Sequence, residues 1–192
     1  MTKLKNTESE SSPIIFDNSV LSNFTPAQSF YILKRLYAGR AFISKAVRRE
    51  IKSGSASNCS FARLHNRAKL QLVNQALQEG WMRLPDDDVN PDDNVMELRL
   101  SIEYRKHFSV PESEAMSIAR NRNWVFASDD ATAKRFARER GIRVTGTLGI
   151  LTQAAKSNVI CSSVAHQIYA QLIEKGYNLK LPYQNSILSQ NP

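Results

Sequence analysis

With 192 residues and 42% apolar content, the chain is long enough for one domain with a substantial core. No apolar run approaches the roughly 18 residues a spanning helix needs, and no apolar stretch follows the lysines near the start, so a fibrous or membrane-spanning protein is excluded and the cytoplasm is expected. The 26 basic side chains outnumber the 18 acidic ones, and the resulting +8 charge points to a polyanionic partner.

In chain order, residues 1–12 are polar without periodicity and read as a mobile leader; the folded region is expected over 13–176, with 177–192 as a tail. Pro13-Ile-Ile-Phe16 reads as a short strand that ends in Asp17-Asn18-Ser19. A helical turn through Val20, Leu21 and Phe24 follows, and Pro26 suits the start of a helix with Phe30, Leu33 and Tyr37 on one face. Gly39 stops that helix, Ala41–Ile43 is a strand, and Ser44 can cap a helix from Lys45 to Lys52 that carries Glu50. Residues 53–57 have loop composition. From Asn58 to Glu79 the positions Phe61, Leu64, Ala68, Leu72 and Ala76 recur at helical spacing, and Gly80 closes the segment before a strand at Trp81–Leu84.

Asp86, Asp87, Asp88, Asp92 and Asp93 read as a solvated, proline-containing loop, because they lack the central Gly and distant Glu of a calcium loop. Helices follow over Val95–Lys106 and Glu112–Arg122, with Pro111 suited to a helix start. Trp124–Ala127 is a short buried strand that delivers Ser128, Asp129 and Asp130 at its end. Ser128 or Asp129 can cap the helix Ala131–Arg140, with Asp129 the better placed, and Gly141 ends that helix before a strand at Ile142–Val144. Helices at Ile150–Lys156 and Ser162–Lys175 complete the chain. Cys59 and Cys161 have no metal-ligand spacing and read as buried thiols, and the three histidines show none either. Alternating strands and helices predict an α/β fold, a three-layer α/β/α arrangement on a parallel sheet of about five strands.

Ligands and catalytic groups gather at the C-terminal edge of such a sheet. Asp17 and Asp129/Asp130 end strands, and Glu50 and Glu112 lie on helices that can face the same edge. Carboxylates are the hard oxygen ligands that magnesium or manganese takes. Gathered without a cation, each ionised pair at about 4 Å would repel by about 4 kcal/mol at an effective dielectric of about 20. Glu112 and Glu114 lie two apart and point to different sides of a helix. Ala115, Met116 and Ala119 lie three, four and seven residues beyond Glu112, so Glu112 is expected on the inward face. Arg48, Arg49, Lys134, Arg135 and Arg138 lie on helices next to the acids and suit a phosphate backbone.

Asp17-Asn-Ser-Val-Leu, Ala46-Val-Arg-Arg-Glu-Ile51, Glu112-Ser-Glu-Ala-Met-Ser-Ile-Ala119, Ser128-Asp-Asp130 and Gly146-Thr-Leu-Gly-Ile-Leu151 resemble, in this order, the motifs of PIN-domain nucleases. The likeness is to the branch related to VapC-type toxins and covers roughly residues 13–176. It implies a three-layer PIN-like fold, Mg2+ or Mn2+ in an acidic pocket, and cleavage of RNA to a 5′-phosphate and a 3′-hydroxyl, the activity of the toxin in a toxin–antitoxin pair. By motif, Asp17, Glu50, Glu112 and Asp130 are the implied catalytic acids, and Asp17, Glu112, Asp129 and Asp130 the implied metal ligands. Asn18 and Ser19 match a position where a small hydroxyl residue orients the first Asp. The sequence departs from the pattern at Pro111, where the family has Gly. The implied partners are RNA, a small antitoxin protein and a second copy of the chain. A noncatalytic RNA- or protein-binding module and a DNA-directed nuclease are the alternative readings.

Overall fold

The computed structural model describes residues 12–25, 29–56, 60–85 and 91–174. Most of the leader, the tail at 177–192, Pro26, Cys59 and Asp86 to Asp88 lie outside them. Five strands, β1 (Ile14–Phe16), β2 (Ala41–Ile43), β3 (Met82–Arg83), β4 (Val125–Ala127) and β5 (Arg143–Thr145), form one sheet in the order β3-β2-β1-β4-β5. Every pairing is parallel. Among the described residues, the helices are α1 (Asn18–Phe24), α2 (Phe30–Tyr37), α3 (Lys45–Gly54), α4 (Ser60–Gln78), α5 (Pro91–Tyr104), α6 (Val110–Asn121), α7 (Ala131–Glu139), α8 (Thr147–Lys156) and α9 (Ser162–Glu174).

The period-two alternation of the strands builds the three layers. Ile15, Phe42 and Phe126 pack with Tyr104, Ala115, Met116 and Ala133 from α5, α6 and α7. Ile14, Phe16, Ile43 and Ala127 pack on the opposite face with Val20, Leu33, Val47 and Ile150 from α1, α2, α3 and α8. A strand with both faces covered needs no polar position, which is why these segments read as short continuous apolar runs.

The register brings the strand ends level. Phe16 lies beside Ile43 and Ala127, and Ala127 beside Thr145, so Asp17, Ser44, Ser128 and Gly146 leave the sheet together. Ser44 caps α3, its Oγ accepting from the Val47 amide at 3.1 Å, as its sequence position predicts. Gly80 and Gly141 end their helices with φ of 72° each, the left-handed turn that disfavours a side chain.

Four expectations need correction. Asp92 and Asp93 are not in a loop; they occupy the first turn of α5, where the helix dipole favours negative charge. The helix after β5 begins at Thr147 rather than Ile150. Cys161 is exposed. The buried stripe of α4 is the predicted one only in part: Ala76 is buried and Leu72 packs against the core, but Leu64 is 70% exposed, and Lys69 and Val73 face inward with Ala76 at i, i+4 and i+7.

The α5–α6 pair is fastened to the sheet by Arg122, whose Nε and Nη2 donate to Glu97 at 2.6 and 3.1 Å and whose Nη1 donates to the Pro85 carbonyl at 2.6 Å. Both charged side chains are nearly buried, 13% and 10% exposed.

Candidate active site

At the C-terminal edge of the sheet, Asp17, Glu50 and Glu112 line one pocket of about 290 Å³ together with Asn18, Ser19, Ser22 and Ser109. The three acids come from the end of β1, the second turn of α3 and the first turn of α6. The short strand fixes Asp17, which is 5% exposed. Its Oδ2 accepts from Ser19 Oγ at 2.7 Å and Ser128 Oγ at 3.3 Å. Ser19 therefore does orient Asp17, and its Oγ also accepts from the Asp129 amide at 3.1 Å, which ties the end of β4 to the end of β1.

Burial pushes the Asp17 carboxyl above the ordinary carboxylate range; bonds from Ser19 and the Asn18 backbone act against this, and the charge of Glu112 adds to it. Glu50 is raised as well, first by loss of hydration and then by Asp17, with an Asn18 hydrogen bond and Lys69 opposing. Two acids held above their ordinary range beside a third form a donor set short of positive charge, and a hard divalent cation fits that chemistry. Among the described residues, no three His, Cys, Asp or Glu side chains already stand as ligands around one point. Glu112 shows why: its carboxylate accepts from Ser109 Oγ at 2.7 Å and from the Ser109 amide at 3.2 Å, closing a capping box at the start of α6. Both bonds fall on Oε2.

Glu112 and Glu114 separate as the helix geometry requires. Glu112 lines the pocket, whereas Glu114 accepts from the Ala46 amide at 3.1 Å in the first turn of α3 and lies 3.8 Å from Arg49.

The cap expected of Asp129 falls to Asp130, and neither residue takes the place expected beside the other acids. The cap of α7 is Asp130, whose Oδ1 accepts from the Ala133 amide at 2.6 Å. Asp129 reaches instead to the start of α8, where it accepts from the Thr147 amide at 2.8 Å, the Thr147 hydroxyl, and Asn23 Nδ2 at 2.9 Å. Gly146 makes this approach possible, since a Cβ there would lie 2.6 Å from Asp129 Oδ1 and 2.8 Å from the Ser128 carbonyl. Neither Asp129 nor Asp130 lines the pocket that holds the other three acids. Asp130→Asn is accordingly expected to change the melting temperature little, because Asn caps as well as Asp. Asp129→Asn turns an amide donor toward other donors and is expected to cost about 1–3 kcal/mol. Thermal melts of the two variants side by side check this; equal melting temperatures would contradict it.

Lys69, which carries no motif in the sequence, reaches the same edge. It is 2% exposed, and its Nζ donates to Asn18 Oδ1 at 2.6 Å and Ser22 Oγ at 2.7 Å. Burial lowers its pKa to about 8, against the pull of Glu50 and Asp17. A lysine at i of an i, i+4, i+7 apolar stripe was the available signal. Of the basic residues next to the acids, Arg48, Arg49, Arg135 and Arg138 are exposed and Lys134 is half-buried.

Among known sequence families, the one described as PIN domain matches residues 13–191. Comparison with curated proteins gives no match.

Proposed function

The chain belongs to the PIN domain family, whose members are generally nucleases, and from that premise we propose that it is a divalent-metal-dependent endoribonuclease, the toxin of a toxin–antitoxin pair. The observation that supports this most is the convergence of Asp17, Glu50 and Glu112 on one pocket at the C-terminal edge of the sheet. Asp17, Glu50 and Glu112 would hold Mg2+ or Mn2+, with Asp129 and Asp130 supporting the same edge through α8 and α7. Held by these residues, such an ion would supply the chemistry of making a water nucleophilic near neutral pH and offsetting charge on the scissile phosphate. Ser19 and Ser128 keep Asp17 oriented. The exposed arginines on α3 and α7 suit the RNA backbone on either side of the pocket. An antitoxin protein and a second copy of the chain are the further partners of this reading.

The test is incubation of mixed RNA and DNA pools with Mg2+, with Mn2+ and with a chelator. RNA is expected to be cut to products with 5′-phosphates in either metal and left whole in chelator. With Ca2+ replacing Mg2+ to suppress turnover, log K for single-stranded RNA is expected to fall by about 0.7 per phosphate neutralised for each tenfold rise in salt. Cutting in chelator would refute metal dependence, binding without cutting would favour a noncatalytic module, and preference for the DNA pool would favour the DNA-directed alternative.

A further inference from the structure

Lys69 reaches the acidic edge from α4 and is buried there, and the two groups that bind its ammonium, Asn18 and Ser22, are uncharged. A lysine so buried ordinarily needs a carboxylate in direct contact. Here Glu50 and Asp17 act on it through space. Asn18 joins the two systems: its side chain accepts from Lys69, hydrogen-bonds with Glu50, and belongs to the residue that follows Asp17. The ammonium therefore has a fixed place beside the pocket.

Resting on the nuclease reading, we propose that Lys69 is a built-in cation beside the pocket, supplying charge that a second metal ion would otherwise supply, so that the pocket takes one divalent ion per chain. Three carboxylates line the pocket. With one divalent ion, Lys69 leaves them neutralised; a second ion would make the pocket net positive next to a buried ammonium. The two carboxylates that would complete a two-ion set are committed to the starts of α7 and α8. A pair of ions about 4 Å apart is the usual alternative for phosphodiester hydrolysis, and it is this count that the lysine alters.

The experiment is titration of the full chain with Mn2+ at pH 7, free Mn2+ being read by electron paramagnetic resonance and heats by calorimetry, for wild type, Lys69→Met and Lys69→Arg. Wild type and Lys69→Arg are expected to bind one ion. Lys69→Met, which keeps the length and loses the charge, is expected to bind a second ion or to bind the first at least tenfold more tightly. Two ions in wild type, or a Lys69→Met variant showing neither change, overturn the proposal and leave the nuclease reading standing. If wild type binds no Mn2+, both fall. Should Lys69→Met fail to fold by circular dichroism, the wild-type and Lys69→Arg counts decide.

Discussion

Asp17→Asn is expected to reduce RNA cleavage on the order of 10³-fold, about 4 kcal/mol of transition-state stabilisation, while raising the melting temperature measured in chelator. The substitution is nearly isosteric, and the remaining carbonyl oxygen can still accept from Ser19 and Ser128. It removes a charge that burial and Glu112 both disfavour. The pH dependence follows from the direction of that shift. The unfolded chain releases the Asp17 proton near its ordinary value of 3.8, and the folded chain only at a higher pH. Between the two values the folded state holds the extra proton, so wild-type stability falls as pH rises through that window. Asn does not titrate. The stability advantage of Asp17→Asn in chelator is therefore expected to be full above the folded value and to fade as pH is lowered toward 3.8. An advantage that persists unchanged on acidification, or a variant that cleaves as fast as wild type, would remove Asp17 from the role assigned to it.

Arg122→Ala is expected to cost about 3–5 kcal/mol, because it strands the Glu97 carboxylate in a nearly buried position and leaves the Pro85 carbonyl without its donor. For a chain of this size that is a fall of about 6–20 °C in melting temperature. The double variant Arg122→Ala/Glu97→Ala is expected to lose less than the sum of the two single variants, since the stranded charge is then gone. Denaturant unfolding of the four proteins measures this coupling. Additive losses would show that the pair makes no special contribution. Neither residue lines the acidic pocket, so cleavage at a temperature where all four stay folded is expected to be near wild type.

The strands were legible because short continuous apolar runs mark strands covered on both faces, as at Ile14–Phe16 and in the run Trp124–Ala127 that contains β4. Their acidic ends were legible for the same reason. Which of Asp129 and Asp130 caps α7 was not. Either residue of an Asp-Asp pair before an alanine can cap, and what decides is the backbone path out of β4, which the Ser19 hydroxyl fixes by holding the Asp129 amide. Helix periodicity predicts that Glu112 and Glu114 point to different sides, but not which side faces the edge, since Ser113 and all of Ala115 to Ala119 are buried and Glu114 also meets a neighbouring helix. Lys69 escaped notice since a charged residue in a long helix reads as solvent-facing, and the stripe through Leu64 and Ala68 fitted the same spacing with α4 turned by one residue. Only packing against α1 settles which face is inward.

The sheet order also governs when this edge can exist during synthesis. β1 is made early, yet it occupies the middle of the sheet, and one of its two neighbours is β4. Asp17 and Ser128 are separated by 111 positions along the chain. At about 5–20 residues per second, a ribosome needs roughly 6–22 s to travel that distance, and β1 has no β4 to pair with in the meantime. Contacts so distant in sequence also close slowly once both ends are available. The nascent chain consequently carries Asp17 without the Ser128 hydroxyl that bonds it until β4 has been made.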